Sequence, residues 1–139
     1  MLININNDIS EINTICDKIN DFCKENNISN KKRQDILLII DELASNVIFY
    51  AYPTKEKHEF VLEINVDNDI VTIKIIDNGT PFNPLEKDDP DTELSAEERQ
   101  IGGLGIFLVK QLSERVTYQR TNEQNHLTII ISLNIHDEN

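Results

Sequence analysis

The residues of this chain with the clearest chemical potential fall in three short segments. Glu42 and Asn46 lie four positions apart, and all four glycines fall in Asp77-Asn78-Gly79 and Gly102-Gly103-Leu104-Gly105. Glycine has no Cβ, so it allows positive φ and lets a ligand approach the backbone closely. Because the second glycine segment runs into the apolar, helix-like stretch 106–109, it is typical of a phosphate site at a helix N-terminus.

The spacing of Glu42 and Asn46 predicts that both side chains lie on one helix face, beside its apolar stripe. A carboxylate there could activate a hydroxyl group, and an amide oxygen could ligate Mg²⁺, since hard cations prefer oxygen ligands. For this pair in isolation, the alternative is a solvated helix edge without chemistry.

Asp77 follows a β-branched run and shares its strand parity with Val71, Ile73 and Ile75. If those residues face the core, Asp77 faces it too, and a buried carboxylate needs hydrogen-bond donors. The exocyclic amine of a purine would be a suitable ligand. The alternative is a plain hairpin turn at Asn78-Gly79, but the proline-containing segment 80–84 cannot return as a central strand.

The apolar pattern predicts a two-layer α/β sandwich with a mixed, largely antiparallel sheet and helices on one face. The second helix begins after Ser29-Asn30, either of which can cap it, and Pro53 stops it; its apolar side includes Val47 and Tyr50. The segment 80–101 holds three of the four prolines and predicts a lid. The other expected elements are strands at 2–5, 60–66, 70–76, 115–120 and 126–133, and helices at 9–23 and 104–113.

Composition limits the classes of function. A length of 139 residues and 39% hydrophobic content predict one domain spanning 1–139. A net charge of −12 disfavours nucleic acid and anionic lipid as direct partners. No apolar run approaches the ~20 residues of a membrane span and no signal-peptide pattern is visible, so we expect a cytoplasmic protein.

The cysteines and histidines do not predict a metal site. Cys16 and Cys23 are seven residues apart on one predicted helix, roughly 10.5 Å at 1.5 Å per residue, so they cannot form a disulfide and are expected to pack in the core. His58, His126 and His136 are scattered and have no cysteine partners at ligand spacing, which disfavours zinc.

Taken together, the three segments resemble the GHKL ATPases, the superfamily of gyrase and the histidine kinases. Glu42-x-x-x-Asn46, Asp77-x-Gly79 and Gly103-x-Gly105 correspond in order to its N, G1 and G2 boxes. Within the superfamily the chain is most similar to the small bacterial anti-sigma factor serine/threonine kinases, especially in the run 99–109 and in Asn125-His126-Leu127-Thr128. The resemblance implies a Bergerat-type ATP-binding fold.

The resemblance also implies roles for individual residues. Glu42 would be the general base, and Asn46 would hold Mg²⁺ on the phosphates of ATP. Asp77 would bind the adenine amine with support from Thr128, and Gly79 would let the base lie against the backbone. The remaining nucleotide-binding set is Arg99 near the γ-phosphate, with Gly102, Gly103, Leu104, Gly105 and Ile106 at the phosphates.

Two functional hypotheses follow from the resemblance. In the first, the protein phosphorylates a serine or threonine of a STAS-type anti-anti-sigma partner and binds an RNA polymerase sigma factor, as a homodimer. In the second, it is an ATP-binding partner-switching module with little or no kinase activity, although Glu42 argues against this because binding alone needs no base. The catalytic part of a histidine kinase is disfavoured, since the usual Asn is replaced by Glu42. An α/β domain without a nucleotide remains a further alternative.

Overall fold

The computed structural model describes residues 1–54, 56–86 and 103–134, so Arg99, Gly102 and most of the expected lid lie outside the described residues. The order of elements follows the prediction. The elements are β1 (Leu2–Asn6), α1 (Glu11–Glu25), α2 (Asn30–Asn46), β2 (Glu59–Asp67), β3 (Ile70–Asp77), α3 (Gly103–Leu112), β4 (Arg115–Thr121) and β5 (Gln124–Ser132).

The strands form one five-stranded sheet in the order β1-β2-β3-β5-β4. Each of its four strand pairings is antiparallel, so the mixed sheet allowed by the prediction is replaced by a wholly antiparallel one in the described part of the chain. Two of the turns use asparagine and acidic residues at positive φ instead of glycine: Asn68-Asp69 and Asn122-Glu123. Positive φ at both central residues is typical of a tight hairpin turn.

The core lies between one face of the sheet and the helices. Along β3, Val71, Ile73 and Ile75 are at most 2% exposed whereas Lys74 is exposed, which confirms the predicted parity. These side chains join the buried residues of α1 and α2 in one apolar cluster. Each fully buried aliphatic side chain contributes about 1.5–3 kcal/mol, so this face fixes the register of the sheet and with it the position of Asp77.

Helix α2 begins as predicted, because the Ser29 hydroxyl accepts a hydrogen bond from the Lys32 amide at 3.3 Å. Its end differs from the prediction. Val47–Ala51 form a π-helical turn, in which Ala51 is 7% exposed and Tyr50 is 51% exposed. A π turn holds one residue more than an α turn, so the buried position moves from Tyr50 to Ala51.

The described residues contain neither a candidate transmembrane helix nor a cluster of metal-ligating side chains. No helix there has the length and apolar character needed to cross a bilayer, and no three Asp, Glu, His or Cys side chains there gather into a metal-binding group. Cys23 is fully buried as expected, whereas Cys16 is only partly buried, and burial raises the pKa of both thiols.

Candidate functional site

Helix α2 carries Glu42 and Asn46 one turn apart, and both residues are partly buried. Leu43 and Val47, their neighbours on the helix, are 3% and 8% exposed and belong to the core. The pair therefore lies at the border of the apolar stripe, as the spacing predicts, and not on a fully solvated helix edge.

An open cleft lies beside this border, between α2 and its π turn on one side and β3, β5 and β4 on the other; its empty space of about 520 Å³ includes the solvent at its mouth. Asn46 lines the cleft, and Glu42 lies one helical turn before it. The lining is mainly apolar and aromatic, with four polar residues besides the tyrosines. It comprises Leu43, Val47, Ala51, Ile75, Pro84 and Leu127, the rings of Tyr50, Phe82 and Tyr118, and Asn46, Asp77, Thr80 and Asn125.

Asp77 ends β3, lines the cleft and is 7% exposed. Its Oδ1 atom accepts hydrogen bonds from the Gly79 amide and from Nδ2 of Asn125, both at 2.9 Å. Among the described residues, Oδ2 accepts no hydrogen bond from the protein. Asp77 thus supplies a fixed, buried acceptor, and its unused oxygen suits an amine donor on a flat apolar ligand.

The residue that supports Asp77 is Asn125, and the prediction of Thr128 for this place is wrong. Asn125 is directly opposite Asp77 in the β3–β5 register, whereas Thr128 is opposite Lys74. Successive residues of a strand point to opposite faces, so Thr128 lies on the face of Lys74, away from the cleft. The signal for Asn125 is a polar residue on the inward parity of β5, together with Ile129 and Ile131.

Asn125 joins three segments of the chain. Its Nδ2 also donates to the Thr80 carbonyl at 2.9 Å, and its Oδ1 accepts a hydrogen bond from the Tyr118 hydroxyl. On the same hairpin, Arg120 donates to the Gly79 carbonyl at 2.9 Å. The β4–β5 hairpin therefore holds the loop after β3 through two side chains, those of Arg120 and Asn125.

Gly79 faces the π turn on the other side of this loop. A Cβ at Gly79 would lie 2.2 Å from the Ala51 carbonyl oxygen. That same oxygen accepts hydrogen bonds from the amide and hydroxyl of Thr80, at 2.8 and 3.1 Å. Glycine is required here because two backbone segments approach each other closely, a contact between parts of the chain that are distant in sequence.

Helices α2 and α3 meet at the part of the site where the sequence predicts phosphate binding. A Cβ at Gly105 would lie 2.2 Å from Oε2 of Glu42, so this carboxylate packs against the first turn of α3. Burial, and secondly the negative charge of Asp41, raise the pKa of Glu42 above its ordinary value. A raised pKa brings a carboxylate closer to the range in which a general base is effective.

The remaining predicted residues occupy different places. Gly103 and Leu104 begin α3, as the sequence predicts. Ile106 is 3% exposed in the core and is not among the residues that line the cleft. Next to the Asp77 end, burial and then the charge of Asp77 raise the pKa of Tyr52 to about 12.

Sequence comparison finds relatives among protein kinases. The serine/threonine-protein kinase BtrW of Bordetella bronchiseptica is 28% identical over 101 residues, which are 73% of this chain and 71% of the relative. The serine-protein kinase RsbW of Listeria monocytogenes is 30% identical over 87 residues, which are 60% of this chain. That match spans only 55% of the Listeria protein, about half its length.

Structure comparison finds the same fold. The RsbU and RsbW domains of a Mycobacterium tuberculosis protein match with a TM-score of 0.67 at 15% identity, over 95% of this chain and 32% of that one. A histidine kinase domain from Erythrobacter litoralis matches with a TM-score of 0.54 at 15% identity, over 94% of this chain and 63% of that one.

The profile of the histidine kinase-like ATPase domain matches residues 5–131, which run from the end of β1 to the next-to-last residue of β5. With its order of segments, its antiparallel sheet and its cleft between α2 and β3, the chain belongs to the histidine kinase-like ATPase family.

Proposed function

We propose that the protein binds ATP in this cleft and transfers its γ-phosphate to a serine or threonine of a protein partner. The observation that carries the proposal is the position of Asp77, a buried carboxylate in the lining of an apolar cleft. Asn46 belongs to the same lining, and Glu42 lies one helical turn before Asn46, against α3. The lining of the cleft thus supplies a buried hydrogen-bond acceptor, and a candidate base lies one helical turn beyond the lining residue Asn46.

The residues at the Asp77 end fit an adenine base. Flat apolar and aromatic walls favour a purine ring, and the unused Oδ2 of Asp77 can accept a hydrogen bond from its exocyclic amine. Both hydrogen bonds that the described residues donate to Asp77 go to Oδ1. An adenine amine can therefore bond to Oδ2 without displacing either of them.

The residues at the other end fit a phosphate chain. The first turn of α3 has backbone N–H groups without helical partners, where an anion is stabilised. Asn46 offers an amide oxygen of the kind that Mg²⁺ binds, next to the cleft. The proposed contributions of Arg99 and Gly102 concern residues outside the described ones and stay predictions.

Glu42 is the proposed base. When bound, Mg-ATP would supply the activated phosphoryl group; the Glu42 carboxylate then takes the proton of the attacking hydroxyl. The bond from that hydroxyl oxygen to the γ-phosphorus forms as the bond to the β–γ bridging oxygen breaks, and ADP leaves. Its raised pKa and its place against α3 suit Glu42 to this task.

The protein partner is inferred from the relatives. BtrW is named a serine/threonine-protein kinase and RsbW a serine-protein kinase, and they match 73% and 60% of this chain. We therefore propose a STAS-type anti-anti-sigma protein as the phosphate acceptor, a sigma factor as a second partner, and a homodimer as the active form.

The first experiment measures ATP binding by calorimetry with Mg²⁺ for the wild type, Asp77→Asn and Glu42→Ala. Asp77→Asn should weaken binding at least tenfold, because the amide turns a donor toward the amine or loses the charge-assisted bond. Glu42→Ala should bind ATP within about threefold of wild type, since Glu42 acts on the hydroxyl and not on the base.

Transfer of labelled γ-phosphate to STAS proteins of the same organism is then measured with the same three proteins. Transfer by the wild type and none by Glu42→Ala would support the kinase. ATP binding without transfer to any candidate would favour the partner-switching module. No ATP binding by the wild type would refute both.

A further inference from the structure

We propose that Asn125 is a positioning residue that sets which purine the cleft accepts. This inference rests on the proposed function, because it assigns a role in recognition of the base at Asp77. It concerns the contact between two side chains, Asn125 and Asp77, that lie opposite each other on neighbouring strands.

The amide of Asn125 has its full set of hydrogen bonds. Nδ2 uses its two hydrogens on Asp77 Oδ1 and the Thr80 carbonyl, both at 2.9 Å. Oδ1 accepts from the Tyr118 hydroxyl and, at 3.4 Å, from the Phe82 amide. If the amide were flipped, its oxygen would face the acceptor Asp77 Oδ1, and its NH₂ group would face the donors of Tyr118 and Phe82. The surroundings therefore favour one orientation of the amide.

This orientation fixes what Asp77 presents to a ligand. The donors from Asn125 and Gly79 both bind Oδ1, which prevents the carboxylate from rotating about its terminal bond. Oδ2 is then the oxygen left for the ligand, and it can only accept. A purine with an amine at position 6 makes this bond, whereas a carbonyl oxygen at the same position would meet a second acceptor.

A purely structural role for Asn125 would have a different signature. If it served only to tie the β4–β5 hairpin to the loop after β3, its loss would weaken the whole cleft. All purine nucleotides would then lose affinity equally. If it positions Asp77, its loss removes the preference for the 6-amino group, and a nucleotide without that group is little affected.

The test compares ATP with purine riboside triphosphate, which lacks the 6-amino group, by calorimetry. The wild type should bind ATP about 10- to 100-fold more tightly than the analogue, the range expected for a hydrogen bond to a charged group. In Asn125→Leu this ratio should fall below about threefold, mainly through weaker ATP binding. Gln119→Ala, on the outer face of the same hairpin, is the matched control and should keep the wild-type ratio.

Tyr118→Phe is the second variant, because it keeps the ring and removes only the hydroxyl that orients the Asn125 amide. Tyr118→Phe should lower the preference for ATP over the analogue by an intermediate factor. If circular dichroism shows that Asn125→Leu is unfolded, Tyr118→Phe becomes the variant that tests the role of Asn125. A wild-type ratio retained in both folded variants would overturn the role of Asn125 while leaving ATP binding intact. A wild type that binds ATP without preferring it over the analogue would also overturn it, and a wild type that binds neither nucleotide would refute the proposed function itself.

Discussion

The glycine beside Asp77 and the glycine beside Glu42 face different kinds of neighbour. A Cβ at Gly79 would meet a backbone carbonyl, that of Ala51, whereas a Cβ at Gly105 would meet the tip of the Glu42 side chain, each at 2.2 Å. A backbone can give way only if an element moves, but a long side chain can rotate. Glycine therefore has two different roles: at position 79 it preserves the fold, and at position 105 it preserves the position of the Glu42 carboxylate.

The contacts around each end agree with this difference. At the Asp77 end, the loop is held by Asn125, by Arg120 and by the Thr80 bonds to Ala51. At the other end, Glu42 is partly buried and its carboxylate has a raised pKa. Substitutions at the Asp77 end should thus change stability and base recognition, and those at the Glu42 end should change the chemistry.

The largest effect is expected for Glu42→Gln, which keeps the size of the side chain and removes the base. Phosphate transfer should fall by about 10²–10⁴-fold, the usual contribution of general base catalysis, with ATP affinity almost unchanged. Rapid-quench measurement of transfer to the partner, beside calorimetry with ATP, gives both values. Transfer at near wild-type rate would show that another group accepts the proton.

The same variant gives a pH-dependent change in stability. A raised folded pKa means that Glu42 stabilises the fold most below its ordinary pKa of 4.5, and this contribution is lost as pH rises through the raised value. Glu42→Gln should therefore melt above the wild type at pH 7, and the difference should vanish on acidification to below the ordinary pKa of 4.5. Wild-type transfer should fall over the same interval on acidification, because the base becomes protonated.

Gly79→Ala should cause the largest loss of stability. The added methyl group forces the loop away from the π turn and breaks the Thr80 bonds to Ala51, which we expect to cost about 3 kcal/mol, in the range for overpacking. For a chain of this length that corresponds to a fall in melting temperature of about 10 °C. Asn78→Ala, at the exposed neighbouring position, is the control and should melt within about 2 °C of the wild type.

Gly105→Ala should lower transfer about tenfold and leave the melting temperature within about 2 °C, since only the end of Glu42 has to move and alanine favours a helix. The effect should be smaller in a background with Glu42→Asp, whose shorter side chain leaves room for the methyl group. A melting temperature as low as that of Gly79→Ala would contradict the distinction between the two ends.

The smallest effect is expected for Thr128→Val. Thr128 lies on the outer face of the sheet, so the Kd for ATP should change less than twofold in calorimetry. A tenfold change would place Thr128 in the site and contradict the register of β3 and β5.

Much of the site could be predicted from the sequence, because strand parity and helical spacing are local properties. Parity along β3 identifies Asp77, and the four-residue spacing on α2 identifies Glu42 and Asn46. The same parity applied to β5 indicates Asn125, whereas the family resemblance pointed to Thr128. Asp77 could be predicted without a structure, but its hydrogen-bond partner required the pairing of two strands 48 residues apart.

Two other features depend on tertiary structure. Tyr50 follows a 3.6-residue pattern that predicts burial, but the π turn changes the period where α2 ends. The requirement for glycine at position 79 arises from a backbone segment 28 positions earlier in the chain, at Ala51. Neither local propensities nor residue spacing can predict this close approach between Gly79 and Ala51.

The two hydrogen bonds that Thr80 donates to the Ala51 carbonyl also provide a way to observe motion. The amide proton of Thr80 can exchange with solvent only when the π turn and the loop after β3 separate. Its exchange rate, read from a single resonance in deuterated buffer, therefore measures how often the cleft opens at this end. Slower exchange at saturating nucleotide would report occupancy of the cleft without any label on the ligand.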